Sequence, residues 1–217
     1  MDVVVIVAAH NEAVRLPATL DALREAFPGA QVIVADDGST DATAALARAA
    51  GAEVASTGRD IGKGAAMTLA ARRVEGFPTV VLCDGDLGAS ARELPALVAA
   101  LDDADLAVAA FARRVGGGFG ITLRFARWAI RRRAGLELQA PISGQRAMRG
   151  EVLSVVVPFA GRFGMETAMT IDAARAGFRV AEVPLDLEHR ATGRTLRGFW
   201  HRGRQLADIA AAVLDRR

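Results

Sequence analysis

Tyrosine is absent from the 217-residue chain, cysteine occurs once, and lysine also occurs once among 27 basic side chains. A lone thiol, Cys83, excludes a disulfide within the chain, and its place in an apolar run reads as a small core residue in a reducing compartment. No run of about 18 apolar residues is present, so no membrane-spanning helix is expected. The first apolar stretch is preceded by no basic region, so no secretory leader is expected either. Net charge is also small: the formal balance is +2, too weak to argue for nucleic acid as a partner. No repeat and no low-complexity linker interrupts the chain, whose length suits one domain with a sizeable core.

The chain does carry a sharp boundary between apolar runs and acids. Val80-Val81-Leu82-Cys83 leads directly into Asp84-Gly85-Asp86. A continuous apolar run reads as a strand buried on both faces of a parallel sheet, and such a strand delivers the residues after it to the sheet's carboxyl edge, where open α/β folds bind ligands. Two acids so placed repel each other and lose hydration. A divalent cation carrying a polyphosphate would balance them, since hard cations take carboxylate and phosphate oxygens. Gly85 lets the backbone turn between them.

The same boundary recurs twice. Val3–Ala9 runs into His10-Asn11-Glu12, and Gln31–Ala35 into Asp36-Asp37-Gly38-Ser39-Thr40-Asp41. Leu16, Leu20, Leu23 and Phe27 have helical spacing after Pro17, and Ser39 or Thr40 is expected to cap a helix through Ala50. Gly51–Ala55 predicts a short strand. Gly62-Lys63-Gly64 is expected to open a helix through Arg73, where free N–H groups and a point charge suit a phosphate. Ser90-Ala91-Arg92-Glu93 has the form of a capping box, and Asp105–Ala110 predicts another strand. Strand-helix alternation with short connections predicts an α/β fold with a mostly parallel, doubly wound sheet. Three acid-bearing strand ends would then share one edge. A P-loop is excluded, because three residues rather than four separate Gly58 from Gly62 and a glycine follows Lys63. No G-x-G-x-x-G follows the first strand, as a dinucleotide fold would require.

In this order, His10-Asn11-Glu12, Asp36–Asp41, Gly62-Lys63-Gly64, Asp84-Gly85-Asp86 and Ser143-Gly144-Gln145-Arg146 resemble family 2 glycosyltransferases of the GT-A fold. The chain is similar to polyprenyl-phosphate sugar synthases. Its carboxyl part, with Phe163–Glu166, His189-Arg190 and Arg204-Gln205, is similar to glucosyl-3-phosphoglycerate synthases. The resemblance implies a Rossmann-like nucleotide-sugar half over 1–110 and an acceptor-side half over 111–217, joined in one domain with a C-terminal helix. It implies a nucleotide-sugar donor, UDP above all, bound by His10, Asn11, Glu12, Asp37, Lys63, Asp84 and Gly85. Asp86, with His189, would hold Mn²⁺ or Mg²⁺, and Asp86 and Glu166 would be the catalytic carboxylates. Gly144, Gln145, Arg190 and Arg194 would meet the acceptor or its phosphate. The family usually carries a tyrosine just before the asparagine; His10 stands there instead, which alters stacking on the base.

Two acceptor classes remain open at this point, polyprenyl phosphate and a small anionic metabolite. A non-catalytic sugar-nucleotide module also remains, whereas a nucleotidyltransferase would need a Gly-rich basic loop after the first strand. Downstream of a Gly116–Gly120 hinge, Arg124, Arg127 and Arg131 share a helical face beside one bearing Ile121, Phe125 and Trp128. Such a helix either lies peripherally on an anionic membrane or faces the core with a solvated basic side. The stripe Leu196, Phe199, Gly203, Leu206, Ala210 and Val213 is expected to pack on the sheet, on a second subunit as a homodimer, or on a bilayer. The expected location is the cytoplasm, at the inner face of the membrane for a lipid-borne acceptor.

Overall fold

The computed structural model describes residues 2–76, 79–111, 120–161 and 164–187, together with Ala211. The hinge residues 116–119, Phe163, the segment with His189, Arg190 and Arg194, and the carboxyl stripe lie outside the described residues.

Runs rich in valine and isoleucine become strands because branched side chains pack well on a pleated surface. Along the chain they are β1 (Val3–Ala9), β2 (Gln31–Asp36), β3 (Glu53–Ser56), β4 (Thr79–Asp84), β5 (Leu106–Phe111), β6 (Arg146–Met148) and β7 (Val180–Leu185). They form one sheet in the order β3-β2-β1-β4-β6-β5-β7. Only β6 runs against its neighbours β4 and β5 among the described strands.

Both faces of the sheet are covered, so β1 is apolar throughout. Val5, Val7 and Ala9 pack under α1 (Leu16–Ala26) and the segment with Leu94 and Leu97. Val4 and Ile6 pack on the other side against Met67 of α3 (Lys63–Ala71) and Met165 of α7 (Met165–Arg175). Each fully buried Leu, Ile or Met contributes about 1.5–3 kcal/mol of transfer free energy. The remaining helices are α2 (Thr43–Ala49), α4 (Pro95–Ala99), α5 (Ile121–Ala134) and α6 (Gly150–Val156).

Two local expectations change, and one left open is decided. Thr43, not Ser39 or Thr40, begins α2, because Ser39 and Thr40 are engaged by the loop after β1. The Ser90–Glu93 box does not cap an α-helix: residues 88–93 form a tighter 3₁₀ turn, the Ser90 hydroxyl donates to the Leu87 carbonyl, and Pro95 starts α4 afresh. On α5 the buried residues are Ala126, Ala129 and Ile130, while Ile121 and Trp128 face solvent.

Register sets the location of the site. Ala8 pairs with Asp84 and Ala9 with Asp36, so the acids ending β4 and β2 flank the turn after β1. The strand order reverses direction at this point, between β1 and β4. Leu82 pairs antiparallel with Arg146, which brings Gly144 and Gln145 to the same edge as they lead into β6.

Candidate active site

A cleft of about 260 Å³ opens at that edge, and His10, Glu12, Asp37, Lys63, Asp84, Gly85 and Asp86 all line it. Residues more than 70 positions apart in sequence are thus neighbours around one cavity.

The turn after β1 is fastened to the loop after β2. Asn11 adopts φ 54°. Its backbone N–H donates to Ser39 Oγ at 2.9 Å, and its side-chain oxygen accepts from the Thr40 N–H at 2.8 Å. Glu12 N–H donates to Thr43 Oγ1 at 2.8 Å. Asn11 therefore serves the shape of the loop, while its amide reaches His10 Nε2 at 3.2 Å. His10 Nδ1 lies 2.8 Å from the Asp37 carbonyl oxygen. With an amide donor on one nitrogen and a carbonyl on the other, the ring carries its proton on Nδ1.

Asp37 is buried, and its Oδ1 accepts from the N–H groups of Ile61 and Gly62 at 2.9 and 3.1 Å. That bond holds the loop that opens α3, and with it Lys63. Gly38, at φ +66°, is required here: a Cβ would fall 2.2 Å from the Arg59 backbone.

The acids after β4 are pinned from behind. Thr19 of α1 donates to the Gly85 carbonyl at 2.9 Å and accepts from the Gly88 N–H at 2.8 Å. Sequence reasoning does not find Thr19; its one signal is a hydroxyl on an otherwise apolar helix face. The expected turn at Gly85 rests on a different cause, since its φ is not left-handed. A Cβ there would lie 3.1 Å from the Ala8 carbonyl oxygen and 3.3 Å from Leu16 Cδ1, so close approach to β1 favours glycine.

Lys63 is the hub. Its Nζ donates to Asp84 Oδ1 at 2.7 Å and to Glu166 Oε1 at 2.9 Å. Burial opposes the ammonium, but the charges of Asp84 and Glu166 outweigh it and raise the Lys63 pKa. Gln145, only 2 % exposed, donates from Nε2 to the other Asp84 oxygen at 2.7 Å, and its own Oε1 accepts from Ser143 at 3.2 Å. Both Asp84 oxygens are thereby fixed. Arg146 is fully buried beneath this loop and donates to the Ser143 and Pro141 carbonyls and to Thr170 Oγ1 of α7. Burial lowers its pKa to about 10, against the pull of Glu166 and Glu182, so it remains a cation at neutral pH. In the sequence Arg146 belongs to a motif but carries no role of its own, because nothing in a linear chain distinguishes a buried arginine from a solvated one.

Asp86 is the acid left facing the cleft. Burial, then the neighbouring charge of Asp84, raises its pKa. A pair of hard oxygen donors whose charges disfavour each other fits a divalent cation. Among the described residues no three His, Cys, Asp or Glu side chains gather as a closed metal cage. Cys83, directly behind, is inert: burial pushes its thiol pKa up.

Comparison with known proteins gives a consistent result. The family model described as "Glycosyl transferase family 2" matches residues 4–162. The undecaprenyl-phosphate mannosyltransferase of Micrococcus luteus is 33% identical over 215 residues, covering 90% of this chain and 87% of that protein. The polyprenol monophosphomannose synthase of Mycolicibacterium smegmatis is 31% identical over 216 residues, covering 87% of this chain and 78% of that protein. Among solved structures, glucosyl-3-phosphoglycerate synthase of Mycobacterium tuberculosis with Mn²⁺, UDP-glucose and phosphoglyceric acid superposes with a TM-score of 0.79 at 26% identity, covering 99% of this chain and 79% of that one. The same enzyme with Mg²⁺ and UDP gives 0.81 at 27% identity, with the same coverage.

Proposed function

The chain belongs to glycosyl transferase family 2, and from that premise we propose that it transfers a sugar from a UDP-sugar to the phosphate of a polyprenyl-phosphate acceptor. The sheet is the GT-A arrangement expected of such an enzyme. In this reading residues 1–110 hold the donor and residues 111–217 serve the acceptor. His10, Glu12 and Asp37 take the nucleoside end of the cleft, and Asp84 takes the ribose. Asp86, with Asp84 beside it and His189 from outside the described residues, would hold Mn²⁺ or Mg²⁺, which supplies charge neutralisation for the leaving diphosphate. Lys63 adds a fixed positive charge to that neighbourhood, and Gln145 keeps Asp84 from rotating away.

The observation that carries the acceptor reading is the engagement of Glu166. At 7 % exposure it already accepts a hydrogen bond from the Lys63 ammonium at 2.9 Å. That bond commits Oε1 to the ammonium, which places Glu166 to position Lys63 rather than to take a proton from a hydroxyl acceptor. A phosphate acceptor is ionised at neutral pH and needs no base, so Glu166 acts by holding Lys63. The similarity to mannosyltransferases named for undecaprenyl phosphate and polyprenol supports the same choice. A small anionic acceptor is the second reading, supported by the backbone likeness to a synthase crystallised with phosphoglyceric acid. Release of free nucleotide from a panel of nucleotide sugars, with Mn²⁺ or Mg²⁺, decides between them. Undecaprenyl phosphate should accelerate release from a UDP-sugar and 3-phosphoglycerate should not; the opposite pattern selects the second reading, and no release with any pair removes both.

A further inference from the structure

Helix α5 has an outer face that solvent does not suit. Its fourteen residues include arginines at 124, 127, 131, 132 and 133 and no acid. At about 100° per residue, Ile121, Arg124, Trp128, Arg131 and Arg132 fall on one side, opposite the buried Ala126 and Ile130. Ile121 is 58% and Trp128 55% exposed, and the Trp128 ring is braced by Phe125, with centroids 5.5 Å apart. Among the described residues Arg124 and Arg132 pair with no acid. Arg131 meets Glu137 only at 3.6 Å with both side chains largely in water, a pair of little worth.

Apolar and cationic groups alternate on this face, which decides what fits it. An apolar protein surface would strand the arginines, and a polyanion would leave Ile121 and Trp128 wet. The boundary of an anionic bilayer satisfies both, because indole and aliphatic groups enter the acyl margin while guanidinium groups meet headgroup phosphates. Chain order sets α5 between two strand ends of the active-site edge. The chain reaches α5 from the carboxyl end of β5 and leaves it for the start of β6, and both strand ends lie on the edge that holds Asp84. Ile130 packs on Ile171 of α7, the helix whose first turn carries Glu166.

We propose that the Ile121–Arg124–Trp128–Arg131–Arg132 face of α5 docks on anionic lipid, so that the cleft meets its acceptor phosphate at the bilayer surface. The inference rests on the lipid-phosphate acceptor reading; vesicles without polyprenyl phosphate test docking, and nucleotide release with undecaprenyl phosphate tests the acceptor, so either can fail alone. In a Trp200→Phe background Trp128 is the only indole. Its emission and the co-sedimentation of the full chain are followed with vesicles of equal parts phosphatidylglycerol and phosphatidylcholine, and with phosphatidylcholine alone. UDP binding with Mn²⁺ is measured separately by calorimetry, without vesicles. Docking predicts a blue shift and sedimentation with the anionic vesicles only, both reversed by high salt. Arg124→Gln/Arg132→Gln should lower vesicle partition by roughly tenfold or more, since each basic group near such a surface contributes about 1 kcal/mol. Trp128→Ser should also weaken it, and neither variant should alter UDP affinity. Emission unchanged by anionic vesicles, or equal sedimentation of the parent and the double-arginine variant, overturns the proposal. Vesicle docking without UDP binding would overturn the donor reading and leave the docking surface standing.

Discussion

Gly144 has no side chain because two charged groups occupy the space. A Cβ there would lie 2.6 Å from Asp84 Oδ2 and 2.8 Å from Lys63 Nζ. Both are ends of side chains, so Gly144→Ala can be accommodated, but only by spreading the Lys63–Asp84–Gln145 cluster. The variant should melt close to the parent temperature while nucleotide release slows by about tenfold or more, a barrier change of about 1.4 kcal/mol. Equal rates would show that the cluster's spacing is irrelevant to transfer. Asp86 offers the reverse case. Burial and then Asp84 raise its pKa, so the folded state binds its proton more tightly than the unfolded chain does, and the ionised form at neutral pH works against folding. Asp86→Asn should therefore raise Tm while abolishing Mn²⁺-dependent UDP binding. A thermal melt and a calorimetric titration read the two effects, and a lower Tm would contradict the electrostatic account.

Among the elements, α3 depends most on one contact. It must approach the loop after α6 so closely that a Cβ on Gly64 would stand 1.8 Å from the Ala160 carbonyl oxygen. Helix propensity alone favours alanine over glycine by about 1 kcal/mol. Overpacking against a rigid backbone costs about 1–3 kcal/mol or more, so the contact wins. Gly64→Ala should be destabilised by about 2 kcal/mol in urea denaturation, and a stabilised variant would show that α3 can shift freely. The same element carries Lys63 in its first turn, so a shift of the helix also moves the hub of the site.

At the scale of the whole molecule, Asp105, just ahead of β5, ties together the start of β7 and the end of β6. Its carboxylate accepts from the Arg179 N–H at 2.8 Å, ahead of β7, and lies 3.4 Å from Arg149 Nε, just past β6. The Arg179 backbone bond, with the nearby guanidinium groups, outweighs burial and lowers its pKa. The folded state thus releases this proton more readily than the unfolded chain. Asp105 contributes stability above the unfolded value of about 3.9, and loses it as pH falls through the lower folded value. Asp105→Asn should be less stable than the parent near pH 7, and the gap should close as pH falls from about 5 to about 3. A constant gap across that range, measured by chemical denaturation, would assign Asp105 a purely steric role. Two other carboxylates, Asp84 and Glu166, sit on β4 and on α7 and meet at one ammonium, which joins these elements and α3 at the site itself.

Much of this was legible in the chain. Valine-rich runs ending in acids announced buried parallel strands and a shared ligand edge, because a strand covered on both faces has no other composition open to it. The residues lining the cleft came with that edge; Lys63 stood out as the lone lysine, but its pairing with Asp84 and Glu166 was not legible. The capping box at Ser90–Glu93 misled, because a local pattern could not register that Pro95 and the Leu87 carbonyl would claim those residues. The antiparallel insertion of β6 was invisible too, since three residues carry no periodicity and only two flanking strands give Arg146–Met148 a place. Nor could spacing alone say which side of α5 is wet; Ala126, Ala129 and Ile130 are buried there because α7 and Leu138 happen to face them. The sequence by itself determined which residues cannot tolerate water and which acids end the strands, as these are properties of side chains and short-range order. Only the tertiary structure decided which charges meet: Lys63 finds Glu166 across 103 positions because packing, not chain proximity, sets that distance.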